Sequence, residues 1–358
     1  MKARTFTLLL AALLFVLPHA TEAWGQDTLT FRVVSYNVEN LFDSRHDSLK
    51  DDYEFLPQAT RHWTYSKYRK KLDDLSRALI ATGGWTLPAL VALCEVENDT
   101  VMRDLTRRSI LREAGYRYIM TDSRDERGID VALLYQRSLF KPLIWQGIRI
   151  TPPSPRHHPT RDILHVSGLL LNMDTLDILI AHFPSRSKGA KASEPYRIAV
   201  AQQLRHAADS ICHRRTRPQV ILMGDFNDTP ADRSVRRVLQ ADMPPADAEA
   251  LHPHALYHLL ARRAREKQKP WKHTVKGSYK YHGQWELLDH IIVSGNLLLP
   301  ASPLYTNESM AGIAIHPFLL TEDPKYGGYQ PFRTYQGPRY LGGYSDHLPV
   351  YADFRLIY

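Results

Sequence analysis

Val220-Ile221-Leu222-Met223-Gly224-Asp225-Phe226-Asn227-Asp228 is the stretch on which the reading of this 358-residue chain turns. Four apolar residues, two of them β-branched, have the length and content of a buried β-strand, and the Gly, Asp and Asn that follow end it. The strand therefore delivers a carboxylate and an amide to one edge of a sheet. Outward from there the same event recurs. Asn37 ends Val33-Val34-Ser35-Tyr36, Glu95 ends Val91-Ala92-Leu93-Cys94, and His182 ends Ile178-Leu179-Ile180-Ala181. Asp289 lies within the apolar run 287–294, and Asp346-His347 precedes the final run 349–356. An Asp or Asn after a strand is, by itself, an ordinary turn or helix-cap residue. The whole ordered series, converging on a sheet edge, makes an oxygen-rich site suited to a hard cation.

Further short apolar runs of strand length fall at 29–38, 89–94, 130–135, 163–172 and 176–181, and apolar spacings of three and four predict helices over 68–81, 100–114, 194–213 and 233–241. The class is α/β with a strand-rich core. No repeat or linker divides the chain, so residues 28–358 read as one domain, with loops at 151–160 and 321–345. A hydrophobic content of 44 % and a charged content of 23 % rule out a collagen-like, mucin-like or largely disordered protein. The net charge of +8 favours an acidic partner: a phosphate ester, a nucleic acid or an anionic surface. Cys94 and Cys212 have no second Cys at metal-ligand spacing; they can form at most one bridge and read as reduced packing residues.

At the N-terminus, Lys2 and Arg4 precede the apolar run 8–17 and the small residues around Ala20 and Ala23, the order of an export signal cleaved by about residue 25. The run is too short to span a bilayer, which takes about 20 residues, and no later segment reaches that length. The expected product is an exported, periplasmic or secreted protein without a stable membrane anchor. Removing residues 1–25 leaves the net charge at +7, so the positive charge belongs to the folded part.

Ser35-Tyr36-Asn37-Val38, Cys94-Glu95-Val96, Gly128-Ile129-Asp130-Val131, Ala181-His182-Phe183-Pro184-Ser185-Arg186, Gly224-Asp225-Phe226-Asn227-Asp228, Leu288-Asp289-His290 and Ser345-Asp346-His347-Leu348-Pro349 occur in this order over about residues 31–354. Together they resemble the endonuclease/exonuclease/phosphatase superfamily, which includes pancreatic deoxyribonuclease, exonuclease III-like repair enzymes, bacterial sphingomyelinases and inositol polyphosphate 5-phosphatases. The resemblance implies the deoxyribonuclease I-like four-layer sandwich, two mixed β-sheets flanked by helices. It also implies hydrolysis of a phosphodiester by an activated water, with Mg²⁺ as cofactor or Mn²⁺ or Ca²⁺ in its place.

By that resemblance Glu95 and Asn37 serve the metal and Asp346 completes its environment. Asp225 orients or activates the water, Asn227 donates a hydrogen bond to the phosphate, and Asp289 fixes the tautomer of His347. His182 matches the second histidine of the deoxyribonuclease and sphingomyelinase branches, a general acid or transition-state donor. Asp130 is the candidate to orient it, with Glu126 as competitor. Glu39, Glu97 and Asp228 should point away from the metal or cap a following element on alternating strand geometry, and His290 lies one residue off the site face.

Arg186, Lys280 and Arg333 are candidate substrate-binding cations. The basic run 262–280, with Trp271 and Tyr279, suits phosphates and stacked bases, and equally a solvated helix end. The aromatic stretch 326–344 should lie on the site's rim, where it fits bases, a sugar or a lipid headgroup. No basic amphipathic helix with an exposed apolar face is present, which counts against a sphingomyelinase. Nor are the inositol phosphatases' Trp-x-Gly-Asp-x-Asn-Tyr and Pro-Ala-Trp-x-Asp-Arg patterns. The reading is a nuclease acting as a monomer on DNA or RNA. The alternative is a phosphodiesterase or phosphatase for a lipid headgroup, nucleotide or sugar phosphate. An inactive binding protein on the same scaffold ranks last, because every catalytic position is filled.

Overall fold

The computed structural model describes residues 27–154, 158–187, 189–266 and 274–358, so the expected export signal and Lys267, Lys269, Trp271 and Lys272 of the basic run lie outside the described residues. β1 (Thr28–Leu41) is buried along Val33, Val34, Tyr36 and Val38. α1 (Tyr65–Gly83) places Tyr68, Leu72, Leu75 and Leu79 on one buried stripe, packs on β1 and returns the chain to β2 (Leu90–Val96), which lies parallel to β1 with Asn37 opposite Cys94. A parallel pair needs such a crossover, which a tight turn cannot supply. α2 (Asp99–Arg107) is capped by the Asn98 side chain, which accepts a hydrogen bond from Val101 N–H. β3 (Arg117–Met120) and β4 (Asp130–Tyr135) then pair antiparallel, with β4 against β2.

The second half of the chain repeats this plan. β5 (Phe140–Ile148), β6 (Ile163–Leu170) and β7 (Thr175–Ile180) run antiparallel, and α3 (Ala190–Arg214) crosses over to β8 (Val220–Asp225), parallel to β7. After β9 (Leu256–His258) and the hairpin β10 (Tyr279–Tyr281) and β11 (Gln284–Glu286) comes β12 (Asp289–Ser294), antiparallel to β8. β13 (Leu304–Tyr305), β14 (Ala311–Ile313), the pair β15 (Leu320–Glu322) and β16 (Tyr329–Pro331), and the pair β17 (Tyr335–Gln336) and β18 (Arg339–Tyr340) lead to β19 (Val350–Ile357), which lies antiparallel to β1.

One sheet has the order β13-β19-β1-β2-β4-β3, with β14 also on β19, and the other β5-β6-β7-β8-β12-β9. Each has a parallel pair at its centre with a helix on its outer face. β1 and β2 pack on β8, and β4 on β6 and β7, so the two sheets share a core while α3 covers a second one over β7 and β8. These are the four layers of the sandwich. The close approach of the pairs fixes one residue type: a Cβ on Gly224, whose φ is +135°, would lie 1.9 Å from the carbonyl oxygen of Ala181.

The expected helix 100–114 stops at Arg107, because Ser109 Oγ accepts from Leu111 N–H and starts a separate 3₁₀ turn, Ile110–Ala114. The expected helix 233–241 is a π-turn, Ser234–Leu239. Cys94 and Cys212 are free and buried. Among the described residues no helix is long and apolar enough to cross a membrane.

Candidate active site

The ends of the two parallel pairs meet across the sandwich. Asn37, where the regular register of β1 with β2 stops, donates from Nδ2 to Glu95 Oε1 at 3.2 Å and to Asp225 Oδ2 at 3.0 Å, joining β2 to β8. Glu95 is a bulge residue with φ +68°, and the register of β2 against β4 shifts around it. The bulge re-aims its side chain into the cleft and leaves an N–H at the right place, since Asn40 N–H donates to Oε2 at 2.8 Å. Asn227, at φ +50°, folds back on Asp225: its backbone N–H donates to Oδ1 at 2.8 Å, and its amide to Oδ2 at 3.3 Å and to the Phe183 carbonyl at 3.0 Å.

Two imidazoles flank Asp225. His182 Nε2 is 3.6 Å from Asp225 Oδ2 and 3.8 Å from Glu95 Oε1, and His347 Nε2 is 3.8 Å from Asp225 Oδ2 on the other side. Their charge states are driven apart. Burial, with Arg161, Arg127 and His347 adding repulsion, pushes the His182 pKa well down and keeps that ring neutral. Burial acts against charge on His347 too, but the attraction of Asp289, 2.7 Å from Nδ1, and of Asp225 overcomes it and raises the pKa to about 10. His347 is thus an imidazolium at neutral pH. Burial raises the Asp225 pKa despite His347.

Asp289 is held by its own strand, with its N–H and that of Leu288 donating to Ser278 Oγ. Ser345 Oγ ties the final loop to β1 by donating to the Asn37 carbonyl at 2.7 Å, and it accepts from His347 N–H. Asp346 sits at the rim in an ion pair with Arg333 at 3.4 Å. Beneath this loop Glu39 accepts from the N–H groups of Thr334 and Tyr335 at 2.6 and 3.1 Å. The buried Lys71 ammonium donates to Thr334 Oγ1 and to the Tyr344 carbonyl, both at 2.5 Å. Alternation alone would put Glu39 on the face of Asn37, but with φ +51° at Glu39 and +53° at Asn40 the strand turns there, and Glu39 works with Lys71 as a clasp on the loop. Glu97 likewise accepts from Asp43 N–H, and Asp228 pairs with Arg197 of α3.

Three placements differ from the sequence reading. Asp130 does not face His182: it accepts from Thr121 Oγ1 at 2.5 Å and from Ser123 N–H, and Glu126 pairs with His158. Instead His182 Nδ1 has no partner, and Arg161 and Asn227 fix the ring from behind by donating to the Phe183 carbonyl. Lys280 forms a buried ion pair with Asp323 at 2.7 Å, and Arg186 is paired with Glu286. Both cations are spent within the protein, whereas Arg333 stays beside Asp346. His290 is a core residue. It accepts from His258 Nε2 at 2.7 Å and donates to the Asp228 carbonyl, while His258 Nδ1 accepts from Leu260 N–H, a chain that holds both rings neutral.

Sequence reasoning reads Tyr279 as part of the basic run and missed its place at the site, where its ring lies 4.8 Å from that of His347 and its backbone bridges to it. It also missed Lys71, because a lysine on a helix gives no sign that it will be buried.

The residues that could hold a cation offer oxygen: the Glu95 carboxylate and the adjoining Asn37 amide, with the Asp346 carboxylate at the rim beside Arg333. Among the described residues no three His, Cys, Asp or Glu side chains form a closed cage. That sparse set fits Mg²⁺, which keeps several waters and takes phosphate oxygens as further ligands.

Against families of known proteins, residues 32–355 match one described as the Endonuclease/Exonuclease/phosphatase family. No curated protein sequence matches the chain. Among solved structures, a family protein from Bacteroides thetaiotaomicron is similar at 15 % identity and TM-score 0.53, over 92 % of this chain and 96 % of that one. The human nocturnin catalytic domain, with bound sulfate, is similar at 15 % identity and TM-score 0.51, over 92 % and 97 %. Danio rerio TDP2, complexed with a single-strand DNA product, is similar at 17 % identity and TM-score 0.50, over 91 % and 98 %. These likenesses show the fold.

Proposed function

The chain belongs to the endonuclease/exonuclease/phosphatase family, and from that premise we propose that it hydrolyses phosphodiesters of nucleic acid with a divalent cation, Mg²⁺ in the first place. The observation that carries the reading is the Asp225 carboxylate set between a neutral His182 and a charged His347, with Glu95 and Asn37 on its open side. A phosphodiester resists attack because it is an anion, so a site must neutralise it and present a water along the line opposite the leaving oxygen.

His347, kept protonated by Asp289, donates a charged hydrogen bond to a phosphate oxygen from Nε2. Asp225 orients a water at Oδ2 and takes up its proton, which burial favours by raising the pKa. The neutral His182 offers Nε2–H to the oxygen that gains charge, and the Asn227 amide lies beside the same carboxylate to position the phosphate. Glu95, Asn37 and Asp346 would hold Mg²⁺, which when bound neutralises phosphate oxygens and stabilises the leaving group.

The positive net charge supports an anionic polymer as substrate. The single-strand DNA bound by the similar TDP2 fits that choice. We read residues 1–25 as an export signal, which puts the reaction in the periplasm or outside the cell.

The test is hydrolysis of bis(p-nitrophenyl) phosphate, plasmid DNA, RNA, sphingomyelin and sugar phosphates by purified protein with Mg²⁺ or with chelator, at two salt concentrations. Nucleic acid should be turned over fastest, in a metal-dependent and salt-sensitive way, since each phosphate contact releases counterions. Full activity in chelator would remove the metal, and a faster lipid or sugar phosphate would replace the substrate.

A further inference from the structure

We propose that Tyr281, His282 and Tyr326 form a platform on which an unpaired nucleobase next to the scissile phosphate stacks; this rests on the nucleic-acid reading above and deepens it. The hairpin β10–β11 turns at His282 and Gly283, with φ of +46° and +81°, the two-residue turn whose twist suits antiparallel strands. The turn lays the His282 ring on Tyr281 at 4.1 Å between centroids and 20° between planes, and Tyr326 from the β15–β16 connection continues the stack at 5.9 Å and 22°. Only glycine permits this approach, since a Cβ on Gly283 would come within 2.9 Å of the Tyr326 side chain.

The platform is fastened from below. Lys280 and Asp323 pair at 2.7 Å with side chains only 4 % and 5 % exposed, Lys280 also donates to the Gly327 carbonyl, and Asp323 accepts from the N–H groups of Lys325 and Tyr326. Lys280 thereby serves the substrate through the rings it positions. Above, Tyr281 is 56 % and Tyr326 44 % exposed, so the Tyr281 face turned away from His282 is the one open to a base. Lys325 Nζ lies 5.0 Å over the Tyr326 ring, a cation for the phosphate backbone.

Position supplies the occupant. Tyr279 touches His347, and Tyr281 follows two residues later on the same face, about 6.8 Å along the strand. That is the scale of one nucleotide and far below the ~34 Å of a duplex turn. A stacked base has to leave its pair, so the platform selects single-stranded or frayed nucleic acid. The hairpin tips, His282-Gly283-Gln284 and Pro324-Lys325-Tyr326-Gly327-Gly328, carry no Leu, Ile, Phe or Trp for insertion into a lipid surface.

The experiment measures binding of fluorescein-labelled oligo(dT) and of the same oligomer with abasic sites to Asp225→Asn protein, alone and with Tyr281→Ala plus Tyr326→Ala or with Tyr281→Phe. Oligo(dT) should bind on the order of tenfold or more tighter than the abasic strand. The double alanine change should abolish that preference, and Tyr281→Phe should keep it. In otherwise native protein, Tyr281→Ala should leave bis(p-nitrophenyl) phosphate hydrolysis unchanged. Equal affinity for the two oligomers, or a preference that survives the double change, overturns the platform. So does sphingomyelin-vesicle binding that is lost with the rings while oligomer binding is not. Failure of the native protein to hydrolyse any phosphodiester overturns the proposed function instead, a separate result.

Discussion

Replacing Asp289 by Asn should produce a rate loss that depends on pH in a specific way. In the native site His347 Nδ1 faces Asp289 Oδ2 at 2.7 Å, and the ring's pKa of about 10 keeps it charged throughout the neutral range. Asn removes the anion, so burial is opposed only by the more distant Asp225 and Asp346, and the pKa falls toward the ordinary ~6.5 of histidine. At that value about 3 % of the ring is charged at pH 8 and about three quarters at pH 6. The protonation deficit is therefore roughly 30-fold at pH 8 and under about twofold at pH 6. A further loss on the order of 10², independent of pH, comes from an acid–base group whose ring is no longer oriented. The assay is kcat/KM on bis(p-nitrophenyl) phosphate from pH 6 to 8 at saturating Mg²⁺. A native-to-variant ratio that stays flat across that interval, or that grows on acidification, refutes the assignment of a charged His347.

Glu95→Gln should reduce Mg²⁺-dependent turnover by on the order of 10² and weaken Mn²⁺ binding measured calorimetrically; unchanged binding would remove Glu95 from the metal. Gly224→Ala should destabilise by more than about 4 kcal/mol, because the clash at 1.9 Å is with backbone that cannot swing aside, and a denaturant midpoint within error of native would contradict the close approach of β8 to the end of β7. His258 and His290 are fully buried with lowered pKa values, His290 at about 4, by burial first and, for His258, by repulsion from His290. The unfolded chain binds these protons first, so the stability of the neutral pair is fully present above about pH 6.5 and declines below it, by about 3 kcal/mol for His290 at pH 4. Acid melts of His290→Phe, which keeps the stack on Phe226, should show a shallower decline than native, and an identical slope would sink this account. Cys94 and Cys212 should resist alkylation in the folded state and both react once denatured without reductant; two missing protons in the intact mass would show a bridge.

The central strands and their polar ends were legible because burial on both faces writes a continuous apolar run, and the acid, amide or imidazole that ends it interrupts that run visibly. β5 was not. It lies at a sheet edge with Leu143, Ile144 and Trp145 exposed, so its sequence neither alternates nor forms a buried run. Lys280 and Arg186 read as substrate cations because charge is visible in sequence while its partner is not: Asp323 and Glu286 lie 43 and 100 residues away. Asp130 reads as a partner for His182 because its local donors are invisible in sequence: Thr121 and Ser123 already claim its oxygens. The positive φ of Glu95 and the clasp of Glu39 and Lys71 follow from tertiary packing and leave no local signal.

The pairing of β1 with β19, Thr28 opposite Ile357 and Ser35 opposite Val350, also governs when the site comes into being. Asn37 is made early in synthesis and His347 nearly last, and the loop that carries His347 is gripped by Glu39 and Lys71 from the first fifth of the chain. A growing chain holds Asn37, Glu95, His182 and Asp225 without the imidazolium that completes them. Contacts this distant in sequence also close slowly. On the proposed function, chemistry starts only after the last strand has been delivered and has found the first.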